Sequence, residues 1–295
     1  MRRSIFFLFF QFSLFSLTAQ DAREMHIGKP NPNKVVELQE NIAEVRDIYR
    51  RARVKVVKEF YRADSSAKPQ LVSKTWVSPE GRITKKAFFQ GRDTLEVNDF
   101  YYNPNGMLAR TVNRTSGMAE GVFVTDYAYD ERGRLATVKG SSPVAATGPR
   151  FKSAFSEVYE YDGRTGQISS VTRTSGLREK FVFSTDSASN QLFKACYRLP
   201  KDSDFIAPDL NPHTFFVLTF DREGEIYMNE CYEQGELVFW GEYVYMGPGR
   251  YMATRTRELP YPPVRTNYTY APIGVLTQIQ STDGSLVTFE YEQYK

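Results

Sequence analysis

The chain has 295 residues, with 38 basic and 35 acidic side chains and a formal charge of +3. That balance excludes the concentrated basic surface with which nucleic-acid binders hold a polyanion. Only His26 and His213 are available, which argues against a histidine-based triad or a histidine-rich metal site.

The chain opens with MRRSIFFLFFQFSLFSLTAQ. Arg2 and Arg3 make a positive start, Ile5 to Leu17 is an apolar run rich in phenylalanine, and Leu17-Thr18-Ala19 offers small residues for cleavage. This order is that of a secretory signal peptide, expected over residues 1–19. The run is shorter than the ~20 residues that span a bilayer, and an uncleaved anchor is the alternative. No cysteine follows it to carry an acyl-lipid anchor. Without Arg2 and Arg3, 36 basic residues face 35 acidic ones. No later stretch is long and apolar enough for a transmembrane helix, so none is expected in the mature chain.

Residues 20–31 are polar and read as a flexible leader. Asn31-Pro32 then suits a helix start, and Val35, Leu38, Ile42, Val45 and Tyr49 follow at spacings of three and four. An amphipathic helix is predicted over residues 32–53, with Arg50, Arg51 and Arg53 at the end that the helix dipole favours for cations. Its stripe suits packing over a sheet edge. A coiled-coil seam is the alternative, although the stripe spans fewer than three heptads.

From residue 54 to 295 the pattern is β. An aromatic or apolar residue, a polar turn, a glycine and an apolar residue two beyond it recur along the chain. The copies are Val77 with Gly81 and Ile83, Tyr102 with Gly106 and Leu108, Tyr129 with Gly133 and Leu135, and Tyr161 with Gly166 and Ile168. Phe220 with Gly224 and Ile226, Tyr245 with Gly249 and Tyr251, and Tyr270 with Gly274 and Leu276 continue the series. Phe183 with Asn190 and Leu192 fills the long gap before Gly224. A period of roughly 25 residues repeated eight times is a repeat architecture. Glycine or asparagine supplies the positive φ of a tight reversal, and a preceding Asp or Asn can bond its own backbone. Side chains two apart share a strand face, so Tyr127 with Tyr129 and Tyr268 with Tyr270 form paired faces. The expected fold is mainly β: a repetitive antiparallel hairpin meander of about eight hairpins in a curled or spiral sheet, with one N-terminal amphipathic helix.

YAYDERGRL (residues 127–135) resembles the YD repeats of bacterial RHS-type surface and toxin proteins, whose signature is Y-x-Y-D-x-x-G-R-L. YEYDGRTGQI, LTFDREGEI and FYYNPNGML match in part, and the resemblance extends over residues 76–280. It implies a β-meander in an exported protein and carries no catalytic residues.

Departures from the repeat are where function can be grafted. Residues 141–153 and 199–214 and the proline-rich segment after Leu259 are long connections, to be read as surface loops or as sites. Parity gives a sharper clue. Trp76, Tyr101 and Trp240 fall on the face opposite the paired tyrosines, among Glu160, Thr219 and Thr269. There they are candidate ligand-binding residues able to stack on a sugar or a partner side chain. The alternative is that the helix, or the sheet curling on itself, covers them.

No nucleophile elbow, metalloprotease, C-x-x-C or P-loop motif occurs. No catalytic, metal or cofactor-binding residue is assigned and no cofactor is expected. Cys196 lies four residues after Leu192, but Cys231 lies five after Ile226. In a regular ladder these offsets place the thiols on opposite faces, out of disulfide reach.

Three functions fit. The leading one is an exported, non-enzymatic β-repeat module that binds or scaffolds at the bacterial cell envelope, in the periplasm or on the outer cell surface. Its partner would be an envelope protein or a glycan, and its oligomeric state is open. The alternatives are an outer-membrane β-barrel and a hydrolase of peptidoglycan or extracellular polysaccharide. Against the barrel stand charges on the return strands, among them Arg82, Lys85, Arg110, Arg114, Lys139 and Arg173.

Overall fold

The computed structural model describes residues 43–295 except 65, 117–120, 142–154, 162, 164–167, 174–176, 187–188, 201–205, 207–209, 221–225 and 248–249. The signal segment, the leader and residues 32–42 of the expected helix lie outside the described residues, as do Gly166, Gly224 and Gly249.

A helix, α1 (Ala43–Arg51), leads into β1 (Val54–Arg62), β2 (Gln70–Val77), β3 (Ile83–Gln90), β4 (Asp93–Tyr102), β5 (Leu108–Thr115) and β6 (Gly121–Tyr129). Next come β7 (Leu135–Ser141), β8 (Phe155–Tyr161), β9 (Ile168–Arg173), β10 (Leu177–Asp186), β11 (Gln191–Pro200) and β12 (Thr214–Phe220). The last six are β13 (Ile226–Glu233), β14 (Glu236–Gly247), β15 (Arg250–Glu258), β16 (Val264–Tyr270), β17 (Leu276–Ser281) and β18 (Leu286–Gln293).

Each strand pairs antiparallel with its sequence neighbours, and β1 pairs with both β2 and β18. Val57 stands opposite Tyr291, and Tyr61 opposite Val287. These pairs close the sheet. The fold is a closed 18-stranded antiparallel barrel with one short helix, which corrects the expectation of a curled or spiral meander of about eight hairpins. The eight repeat units account for sixteen strands; β1 and β18 lie outside them, although the turn into β18 has a glycine of the same kind, Gly284, with φ of +92° and N–H donating to Ser281 O. An open sheet would leave two rows of unpaired N–H and C=O groups, and closure removes both edges.

The turns show why the repeat has its residues. Gly81, Gly106, Gly133 and Gly274 have φ of +76 to +95°, and Asn190 has φ of +53°. In the Asp130 turn, Gly133 N donates to Asp130 O at 2.9 Å, and Asp130 N to Arg134 O at 2.8 Å. The Asp130 carboxylate accepts from the N–H groups of Arg132 and Arg134 and from the Arg134 guanidinium. Burial opposes its ionisation, but the Arg134 backbone and side chain outweigh that cost and hold its carboxyl below the usual range. The return strand then gains one residue, as at Ala128/Tyr129, a bulge that recurs beside Val77, Tyr102, Tyr161, Phe220, Tyr245 and Tyr270.

Neighbouring hairpins are locked by the same residues. The hydroxyls of Tyr102, Tyr129 and Tyr161 donate to the carbonyls of Ile83, Leu108 and Leu135, each one hairpin earlier, at 2.7–2.8 Å. Tyr291 bonds Leu276 O, and Tyr294 bonds Val77 O across the closure. The arginine after the turn glycine stacks on the next tyrosine: Arg82 over Tyr102 at 5.4 Å and Arg134 over Tyr161 at 4.1 Å. DYAYDERGRL is therefore a unit of construction.

The register sorts side chains into two faces. On β6 and β7, Thr125, Tyr127 and Tyr129 share a face with Leu135, Val138 and Gly140, while Asp126 and Ala128 share the other with Thr137 and Lys139. The tyrosine face carries more of the buried apolar side chains, among them Leu135, Ile83 and Leu218 at 1–3% exposure, while the other face has both buried ones, such as Val56 and Leu199, and exposed ones, such as Val244 at 48%. Side chains converge on the concave face of a ring and diverge on its convex face, so the tyrosine face lines the lumen. A ring of 18 strands about 4.8 Å apart and tilted by about 40° is roughly 35 Å across. Substantial strand contacts run between ring neighbours. Among the described residues, lumenal burial arises partly from α1 and partly within the wall, where Tyr102, Tyr129 and Tyr161 reach back over Ile83, Leu108 and Leu135 of the preceding hairpin.

Helix α1 lies on this inner face at the turn end. Ile48 and Ala52 pack with Val54, Val57, Val77 and Val275. A Cβ on Gly81 would lie 2.1 Å from Arg46 O, so glycine there lets the helix backbone touch the turn.

Candidate functional site

All three candidate residues stand on the outer face, whereas the described helix, α1, packs on the inner one. Trp76 pairs with Lys85 and Val56, Tyr101 with Arg110, and Trp240 with Glu230 and Arg257. Trp76 lies between the ammonium groups of Lys74 (4.9 Å) and Lys85 (5.4 Å), and Arg255 covers Trp240 at 5.4 Å. Tyr101 is 49% exposed. Trp76 and Tyr101 are two strands apart, whereas Trp240 on β14 is six strands from β2 around the ring. They form two separate patches.

Charge dominates the rest of the outer face. Lys58 pairs with Glu292 at 2.7 Å and Arg110 with Asp126 at 2.6 Å, and Arg114 with Asp99 and Arg178 with Glu160 also pair. Such exposed pairs contribute roughly 0–1 kcal/mol each. A second aromatic group breaks this charge: Phe193 stacks on Phe215 at 5.9 Å, and Phe215 meets Tyr232 at 6.2 Å.

Inside, the wall is uneven. On β10–β14 it carries Phe181, Phe216, Phe239 and Cys231, with the Lys194 ammonium 4.9 Å from the Phe181 ring. On β1–β5 the corresponding stretch is polar, with Glu59, Ser73, Lys86, Glu96, Asn98 and Asn113 facing the lumen. Asn98 stands four residues before Tyr102, where Phe216 stands four before Phe220. Reading the repeat for its matches passes over this polar stretch, and comparing units position by position along the tyrosine face is the signal that finds it.

Both cysteines are free. The register places them on the same face, not opposite ones, because the bulge between Thr219 and Phe220 adds a residue to β13 and flips the parity of Cys231. They remain two strands apart, beyond disulfide reach. Burial, aided by Glu233, pushes the Cys231 thiol up to about 12. Among the described residues no group of His, Cys, Asp and Glu is placed to hold a metal ion, and no helix is long and apolar enough to cross a membrane.

No family model matches the chain, so membership of a YD-repeat family is not supported, and no curated protein matches it. Among solved structures, a porin-like protein from Bacteroides uniformis is similar at 9% identity and TM-score 0.38, over 82% of this chain and 97% of that one. A porin-like protein from Bacteroides vulgatus follows at 9% identity and TM-score 0.25, over 82% and 99%. A Tc holotoxin pore structure from Photorhabdus luminescens gives 12% identity and TM-score 0.24, over 77% of this chain and only 14% of the toxin chain. At these TM-scores none of the likenesses defines a shared fold, and the functional reading rests on the barrel's own geometry.

Proposed function

We propose that the protein is a non-enzymatic β-barrel of the bacterial cell envelope that stands in water and binds a partner through its outer face. The observation behind this reading is the division of chemistry between the faces. A lipid-spanning barrel turns an apolar band outward, and an Arg or Lys at the bilayer midplane costs about 2–4 kcal/mol. Here Lys58, Lys74, Lys85, Arg110, Arg114 and Lys139 all point outward, while Leu108, Leu135, Leu192 and Leu218 and the repeat tyrosines Tyr102, Tyr129 and Tyr161 point in. Against a background of exposed ion pairs, Trp76 with Tyr101, Trp240, and the Phe193–Phe215–Tyr232 group are the places where an apolar partner surface or a sugar face can settle.

A second reading, an outer-membrane barrel, is favoured by the closed and even-numbered ring with short turns at one end. Ring closure fits it better than it fits an open scaffold, and the charged outer face counts against it.

The test is a crosslinked pull-down of the mature protein from its native envelope, with bound proteins and glycans identified by mass spectrometry. A dominant partner lost on Trp76→Ala or Trp240→Ala supports binding through the outer face. A partner retained by both variants and by Phe215→Ala, or no partner at all, contradicts it.

A further inference from the structure

We infer, resting on the reading that the outer face stands in water, that β15–β17 carry on that face a binding site for the carboxylates of an acidic oligosaccharide, centred on Arg255 and Arg265. The register builds the site. Arg255 on β15 stands directly opposite Arg265 on β16, and Arg257 follows two residues along β15 on the same face. Asn267, opposite Ala253, and then Gln278 and Gln280 on β17 continue the outward surface. Arg255, Arg265, Asn267 and Gln280 are exposed. Among the described residues, the outward side chains of these three strands include three arginines and no carboxylate.

Residues directly opposed across two strands have Cβ atoms about 4.5–5.5 Å apart, and like charges so placed destabilise a sheet. One carboxylate approaches from β14: Glu242 Oε2 lies 3.8 Å from Arg255 Nη1, a loose and exposed pair. Arg257 and Arg265 form no ion pair among the described residues. Outward arginines on β5 and β10 are placed differently, because Arg110 meets Asp126, Arg114 meets Asp99 and Arg178 meets Glu160. An oxyanion seated between Arg255 and Arg265 turns their mutual repulsion into attraction on both sides.

Two of the three guanidinium groups are already aimed. Arg255 lies over the Trp240 ring at 5.4 Å, and Arg257 Nε donates to Tyr261 O at 3.2 Å. Less side-chain freedom is then lost on binding. The planar fork of a guanidinium meets a carboxylate in two parallel hydrogen bonds. Beside the arginines, the amides of Asn267, Gln278 and Gln280 offer donors and acceptors to hydroxyl groups. Outward on β15–β17 the described residues include no large apolar side chain to enter a bilayer, which argues against a lipid surface. The near balance of 38 basic and 35 acidic residues over the chain argues against a nucleic acid. A short chain of uronic acids supplies both the carboxylates and the hydroxyls that this surface matches.

The experiment titrates the purified protein by calorimetry with tetragalacturonate, with maltotetraose as a neutral control and with phosphatidylglycerol vesicles as a lipid arm. Saturable binding of tetragalacturonate that weakens as salt rises is expected, with none of maltotetraose or of the vesicles. Arg265→Gln should weaken binding about tenfold, the worth of one charge-assisted hydrogen bond. The thermal midpoint of the free variant should hold or rise, because the opposed like charges are gone. Arg265→Lys keeps the charge and loses the fork, so its affinity should fall between the two. Arg178→Gln, at an arginine with its own carboxylate, should leave affinity unchanged within twofold. Absence of tetragalacturonate binding, equal losses on Arg265→Gln and Arg178→Gln, or binding to the vesicles in preference to the oligosaccharide would overturn the inference. Protein that carbonate releases from the envelope and that fails these tests contradicts this inference alone, whereas retention in the membrane contradicts the reading beneath it.

Discussion

One hairpin shows the two sides of this barrel. On β6 and β7 the inner face carries Thr125, Tyr127, Tyr129, Leu135 and Val138, and the outer face Asp126, Ala128, Thr137 and Lys139. The inner residues belong to the repeat and lock one hairpin to the next, while the outer ones change from unit to unit. Stability therefore resides on the tyrosine face near the turns. Variation is free on the outer face and on the inner face away from the turns, and the proposed partner site lies on the outer face.

The contrast is sharpest for apolar truncation. Leu135→Ala removes a side chain that is 1% exposed and should cost about 3 kcal/mol, whereas Val244→Ala, at 48% exposure, should cost under about 0.5 kcal/mol. Urea unfolding of both variants reads the difference, and equal losses would mean that the faces are wrongly assigned. Next come the turn glycines. Gly81→Ala meets both a positive φ and the Arg46 carbonyl and should cost about 2 kcal/mol or more, while Gly91→Ala meets only its φ of +64° and should cost about 1 kcal/mol. Tyr129→Phe deletes the bond to Leu108 O and should cost about 1 kcal/mol with the ring still packed, measurable as a lower midpoint.

The smallest effect is electrostatic. Asp130 has a folded pKa below its unfolded value of about 3.9. Its ionised form contributes stability that is present above that value and lost as pH falls through the folded one. Asp130→Asn should therefore flatten the decline of the melting temperature as pH falls below about 4. At the alkaline end the sign reverses. Burial raises Tyr127, Tyr268 and Tyr291, so their contribution is full below about pH 10 and lost as pH rises beyond it.

Much of this division could be read from spacing. The turn positions follow from Gly81, Gly106, Gly133 and Gly274, and period-two counting from the tyrosines puts Trp76, Tyr101 and Trp240 on the second face. What such counting could not supply was the behaviour of the ends. β1 carries no repeat signature and β18 shows only a turn glycine, Gly284, and the pairing of the two is decided by the need to satisfy two open edges, a property of the whole sheet. Bulges defeated the parity of Cys231, because one extra residue in β13 inverts everything after it. The polar lumenal group escaped because Glu96, Asn98 and Asn113 look ordinary in sequence and are brought together only through the register of β4 with β5.

The central claim is that the charged face stands in water, and carbonate extraction of the native envelope followed by detergent-free sedimentation tests it most directly. Release of the protein by carbonate, and sedimentation as a single discrete species without detergent, is the expected result. Retention in the membrane pellet, with a discrete species only in detergent, would contradict it and establish the outer-membrane barrel instead.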